Sequence, residues 1–235
     1  LQQSVFAENG TMPLAFTIYG IFAYTCIAAM YLLVERRLSG SNAVKGLKYG
    51  LSCIVIWIVY LLEPLPHVAA IDRITYPIAD SVALLVMGVL AGIWLTSEEK
   101  QKPAIKSGNA WVAVAAIAAC FVLGRAFQYL GIGIYSSIAE RPAETWLWTL
   151  ATGLTIGATM VWLNRHTAPH TRINNALVIG ALLFGVDLLL FNFFMPLVFK
   201  ADLPDLIMRT LVDVLMVTIG CLALDSAKTQ ALATE

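Results

Sequence analysis

Seven long apolar runs alternate with short polar stretches along this chain, and each run approaches the roughly 20 residues that a helix needs to cross a bilayer. The pattern predicts helices over Leu14–Val34, Tyr49–Leu65, Tyr76–Leu95, Trp111–Ile132, Trp146–Leu163, Ala176–Phe199 and Leu206–Leu224. The first run is long enough to span, so it reads as a true helix rather than a cleaved leader. The connections are short, which predicts one transmembrane domain over residues 1–235. The expected fold is therefore an all-α integral membrane protein, a seven-transmembrane helix bundle.

Composition supports that reading. Hydrophobic residues make up 59% of the 235 positions and charged residues only 13%. Mean hydropathy is +0.78. A soluble domain carries about twice that charge. Lys plus Arg equals Asp plus Glu, 15 each, so no basic surplus points to nucleic acid.

Loop charge sets the expected orientation. One set of connections holds ten basic residues: Arg36, Arg37, Lys45, Lys48, Lys100, Lys102, Lys106, Arg165, Arg172 and Lys228. The other set holds Arg73, Arg141 and Lys200. The positive-inside rule then puts the N-terminus outside and the C-terminus inside, in a plasma or inner membrane. Trp94, Trp111 and Trp162 fall at the predicted inner interface, Trp146 and Trp148 at the outer one.

Small residues predict close helix packing. Gly88 and Gly92 form one GxxxG and Gly153 and Gly157 another. Such faces pack within the bundle or against a second copy in a homo-oligomer. An internal repeat is also visible. Glu63-Pro64-Leu65 is followed by Asp80 as Met195-Pro196-Leu197 is followed by Asp213, which suggests a 3+1+3 parallel pseudo-repeat of a kind found in transporters. Pro64 and Pro196 are expected to kink their helices and free backbone carbonyls at the outer mouth.

The informative residues are the polar ones inside the runs. A charge at the bilayer centre costs roughly 2.5–3.5 kcal/mol on insertion scales, so each needs a partner or a function. The candidates are Glu63, Asp80, Arg125, Asp187, Arg209 and Asp213, with Gln128 and Asn192 as neutral companions. All but Asp187 fall in the outer part of the bundle. That asymmetry predicts a polar pocket open to the outside above an apolar plug. Arg209 and Asp213 are spaced i, i+4 and can pair on one helix face. In the purely structural alternative, Arg209–Asp213 and Asp80–Arg125 are ion pairs; in the functional one, these groups form a ligand or proton site. Asp187, in an uncharged run, is either protonated or paired across helices.

Other chemistry is sparse. Cys26, Cys53, Cys120 and Cys221 lie in apolar runs without CxxC spacing and read as small hydrophobes. The histidines are His67, His166 and His170; Pro169 interrupts the last two, so no metal site is expected. The Gly185-Val186-Asp187 segment lacks the full pattern of intramembrane aspartyl proteases, and no nucleophile–base set stands out. Leu211-Val212-Asp213-Val214 is similar to the Asp-bearing segment of microbial rhodopsins. In that family the retinal lysine lies one turn further on, where this chain has Val217. All seven lysines are expected in loops or tails, so a retinal Schiff base is not expected, nor any other cofactor.

These readings converge on a multi-pass protein that binds a small ligand, proton or cation in an outward-facing pocket, as a transporter or a receptor-like sensor. The alternative is an accessory subunit of a membrane complex, with the intramembrane charges acting as interhelical ion pairs.

Overall fold

The computed structural model describes residues 2–66, 71–99, 101–105, 108–168 and 170–224. It is all-helical, and seven helices are long and apolar enough to cross a membrane: Met12–Leu33, Asn42–Leu61, Asp72–Leu95, Ala110–Ile132, Pro142–Asn164, Arg172–Val198 and Leu203–Ala223. They are numbered here as the first to seventh spans. His67, Lys100, Lys106, Pro169 and Lys228 lie outside the described residues.

The spans present apolar side chains outward. Leu14, Ile18, Ile21 and Phe22 on the first span are all more than half exposed, and Trp111 on the fourth is 83% exposed. In water such a surface would aggregate; against lipid it costs nothing. The chain is a multi-pass membrane protein by this measure.

Glycine sets the tightest contact. Gly46 and Gly50 on the second span meet Gly88 and Gly92 on the third, so two GxxxG faces interlock. A Cβ added at Gly46 would sit 2.0 Å from the Gly88 carbonyl oxygen, and one at Gly92 would sit 2.2 Å from the Asn42 carbonyl oxygen. The backbones touch because no side chain separates them. Gly153 and Gly157 likewise lie against Ala118 and Val114 of the fourth span. Both glycine motifs are thus consumed within the chain.

Several boundaries differ from the sequence pattern. The second span starts at Asn42, not Tyr49, and ends at Leu61, not Leu65. Its start carries Lys45 and Lys48 into the helix, although both were expected in a connection. Lys45 is buried. Two lysines are therefore helical, contrary to the expectation that all lie in loops or tails. They occupy the end of the second span remote from Tyr60, roughly 20 Å away at 1.5 Å per residue. The helix ends early because the residue before a proline is driven out of the α conformation, which leaves Glu63 beyond the helix. Pro64 therefore stops a helix instead of kinking one. Pro196 behaves similarly: the sixth span breaks after Asn192, and Pro196 lies in the first turn of the short helix Met195–Val198.

Two spans depart from α geometry near the charged side chains. Phe127–Ile132 at the end of the fourth span and Leu177–Phe184 within the sixth are π-helical. Gly133 follows the first of these in the left-handed conformation, with φ 74°, which suits glycine. The extreme N-terminal segment also folds back: Gln3 bridges Phe199, and the Ser4 hydroxyl donates to the Leu197 carbonyl at 2.6 Å.

Candidate functional site

One end of the bundle gathers the starts of the first, third and seventh spans and the ends of the second, fourth and sixth. A cleft of about 960 Å³ opens there, with Met12, Leu61, Tyr76, Gly133, Val198 and Leu206 among its lining. Of the sequence candidates, Glu63, Asp80, Asn192 and Arg209 line it. Arg125, Gln128, Asp187 and Asp213 do not; all four are buried in the bundle.

Behind the cleft lies a network of four charges. Arg125, fully buried, donates Nη2 to Asp213 Oδ2 at 2.7 Å and Nη1 to Glu63 Oε1 at 3.3 Å. Arg209 donates Nη1 to the other Glu63 oxygen at 2.8 Å. Its Nη2 donates to the Tyr135 carbonyl. Gln128 Nε2 donates to Asp213 Oδ1 at 2.7 Å, and the Tyr60 hydroxyl donates to Asp213 Oδ2 at 3.0 Å. Every carboxylate oxygen in the network accepts at least one hydrogen bond. Two acids against two guanidinium groups leave no formal charge.

Local structure explains this arrangement. Glu63 lies just past the end of the second span, before Pro64, and its carboxylate is reached there by Arg125 of the fourth span and Arg209 of the seventh. The π-helical turn after Ala126 widens the fourth span below Arg125 and lets Gln128 share its target. Arg209 and Asp213 stand one turn apart on the seventh span, as their spacing requires.

The partners differ from those expected. Arg209 and Asp213 share a helix face but do not pair; Arg209 turns to Glu63 and Asp213 to Arg125. Asp80 does not pair with Arg125 either. A long arginine can point along its helix in either direction, and the better acceptor lay on another element. Asp80 stands half-buried in the cleft wall with no hydrogen bond or ion pair among the described residues.

Aromatic side chains complete the network, and the sequence reading passed over them. Arg125 Cζ lies 5.0 Å from the ring centroid of Trp148, 5.4 Å from Phe121 and 5.6 Å from Tyr60. Negative ring faces stabilise a desolvated guanidinium. Trp148 was expected as a membrane-interface anchor; it is instead buried, and donates to the Val59 carbonyl at 2.6 Å. The signal was available, since Tyr49, Cys53, Trp57 and Tyr60 form a buried stripe at helical spacing on the second span.

Asp187 has no cationic partner among the described residues. Trp57 Nε1 donates to its Oδ1 at 3.0 Å, while Oδ2 has no partner among the described residues. Trp57 itself lines the cleft and so stands between Asp187 and that space. Asn192 donates to Thr210 Oγ1 at 2.8 Å and ties the sixth span to the seventh.

The opposite end of the bundle holds a buried acid that the pattern also missed. Glu35 accepts from Ser97 at 2.7 Å and lies 3.5 Å from Arg36 Nε, which bonds the first connection to the third. A smaller cleft of about 330 Å³ lies nearby, lined by Arg36, Arg37, Lys102, His166 and His170. Among the described residues, no group of three or more His, Cys, Asp or Glu side chains is placed to hold a metal ion. No protein-family model, no curated protein and no solved structure matches this chain, so the geometry above stands without a relative to interpret it.

Proposed function

We propose that this membrane protein binds a small ligand in the cleft at the N-terminal end of the bundle, which loop charge assigns to the outside, and either transports or senses it. The observation that carries this reading is the cleft itself. Its volume falls at the upper end of the range for small-molecule sites, and its walls combine aromatic surface with a few polar groups. The Arg125 network forms a fixed floor beneath it. Such a floor positions Glu63 and Arg209 at the ligand without leaving either charge unpaired. Trp57 links the cleft to Asp187, a route by which occupancy can reach mid-membrane.

Native mass spectrometry of the protein in mild detergent tests the reading. A reproducible small adduct is expected, and it should be lost when the cleft is filled by Gly20→Trp. Flux into liposomes then separates transport from sensing.

A second reading has its own support. A network that is neutral and in which every carboxylate oxygen is bonded is also what interhelical glue requires. An accessory subunit of a membrane complex would show no adduct and would purify with a stoichiometric protein partner.

A further inference from the structure

We infer that the cleft's ligand is an amphipathic organic cation, with the Asp80 carboxylate as its counter-ion; this rests on the reading of the cleft as a ligand site. The lining contains Glu63, Asp80, Asp202 and Asp205 against Arg209 and Lys200, two more acids than bases. Three of those acids are already engaged. Glu63 gives one oxygen to each arginine. Asp205 accepts the Tyr135 backbone N–H at 3.0 Å and lies 4.0 Å from Arg209. Asp202 caps the seventh span by accepting the Asp205 N–H at 3.3 Å. Asp80 is the acid left over, half-buried in the wall of the third span and unpaired among the described residues.

The walls suit the same chemistry. Tyr24, Trp57, Phe191 and Phe194 line the cleft as one aromatic cluster: Tyr24 stacks with Trp57 at 6.2 Å, and Trp57 lies 5.1 Å from Phe191 and 6.0 Å from Phe194. Aromatic ring faces attract cations and accept apolar substituents. A small hydrated metal ion would leave most of this volume unfilled and finds no second free carboxylate among the described residues. An ammonium or phosphonium centre bearing apolar groups uses both features at once.

Two ions of the same shape and opposite sign make the test. Tetraphenylphosphonium and tetraphenylborate are measured by equilibrium dialysis against the protein in nanodiscs of neutral lipid, with empty nanodiscs as the background. Saturable binding of tetraphenylphosphonium at one per chain is expected, with tetraphenylborate at background. Asp80→Asn should weaken the cation about tenfold or more. That variant removes no hydrogen bond or ion pair among the described residues, and its monodispersity is checked alongside. Glu144→Gln, at an exposed acid that does not line the cleft, should bind as the parent does. Undiminished cation binding in Asp80→Asn overturns the inference. Preferential binding of tetraphenylborate overturns it too, but leaves the cleft standing as a ligand site. If neither ion binds, the inference fails, and the adduct measurement above decides separately whether the ligand reading fails with it.

Discussion

Arg125 is surrounded by two carboxylates and three aromatic rings and touches no water. Removing it would take one of two side-chain partners from Glu63 and one of three from Asp213 in a low-dielectric interior. Arg125→Met is therefore expected to cost about 3–5 kcal/mol of stability, read as a fall in thermal midpoint in detergent. Arg125→Lys should recover only part of that, because one ammonium cannot reproduce a planar fork that bridges Glu63 and Asp213. Equal stability of Arg125→Met and the parent would show that the network contributes little. His166 offers a pH-dependent counterpart outside the spans. Burial pushes its pKa below the ordinary 6.5, and Lys48 and Arg165 add to the shift, against a hydrogen bond to the Trp162 carbonyl. A lowered folded pKa means that the unfolded chain binds the proton more readily. Stability should be complete above pH 6.5 and decline as pH falls below it; His166→Gln should flatten that part of the profile. At this scale the sequence was a good guide to which residues mattered and a poor one to their partners. Glu63, Arg125, Gln128, Arg209 and Asp213 were recognisable as polar residues in apolar runs, and they do converge. The pairing was hidden because helical spacing fixes where a Cα lies, not which way a long side chain turns. Trp148 was read as an interface anchor, and the buried stripe that holds Tyr60 showed its face but named no partner for its hydroxyl.

The interlocked glycines of the second and third spans show how elements are held where apolar burial provides no driving force. Gly46→Ala places a methyl group within 2.0 Å of the Gly88 carbonyl oxygen and 2.6 Å of the Gly92 nitrogen. Backbone cannot yield as a side-chain tip can, so the two spans must separate. Loss of monodisperse protein is expected from Gly46→Ala and more severely from Gly46→Leu. Gly108→Ala, where nothing lies within 4 Å, should change stability by less than about 0.5 kcal/mol. Indistinguishable size-exclusion profiles for Gly46→Leu and Gly108→Ala would remove the glycine contact as a determinant of the fold. The Gly88–Gly92 motif was legible in the sequence, but its partner Gly46–Gly50 was not, because Gly46 lay before the predicted start of its helix at Tyr49. That start was misplaced for a physical reason. Lys45 and Lys48 lowered the local hydropathy, although lysine is an adequate helix former and its stem packs well on apolar surface. The end at Leu61 was legible in principle, since Pro64 announces it.

For the whole molecule, seven spans could be counted from apolar runs alone, because the length a bilayer demands leaves little freedom. The cleft could not be measured that way. Its existence was suggested by polar residues clustering toward one end, but its walls come from Phe191, Phe194 and Tyr24, which carry no such signature. Orientation follows from loop charge and can be checked directly. A cysteine at exposed position Thr11 should react with a membrane-impermeant maleimide on intact cells. One at exposed Ala168 should react only after the membrane is opened. The reverse pattern would invert the bundle and place the cleft on the inner side.

The π-helical stretch Leu177–Phe184 gives the sixth span a property that a regular helix lacks. A π turn carries an extra residue, and converting it to α geometry expels that residue and rotates everything beyond it by about 100°. Asp187 and Asn192 lie beyond it. The stretch is thus a rotary clutch: a single change of hydrogen-bond step would turn both side chains together, one away from Trp57 and the other away from Thr210. Deleting the lipid-facing Leu182, 43% exposed, should drive that conversion. A shift in Trp57 emission, isolated by comparison with Trp57→Phe, is the expected signature. An unchanged spectrum would mean that the clutch does not turn.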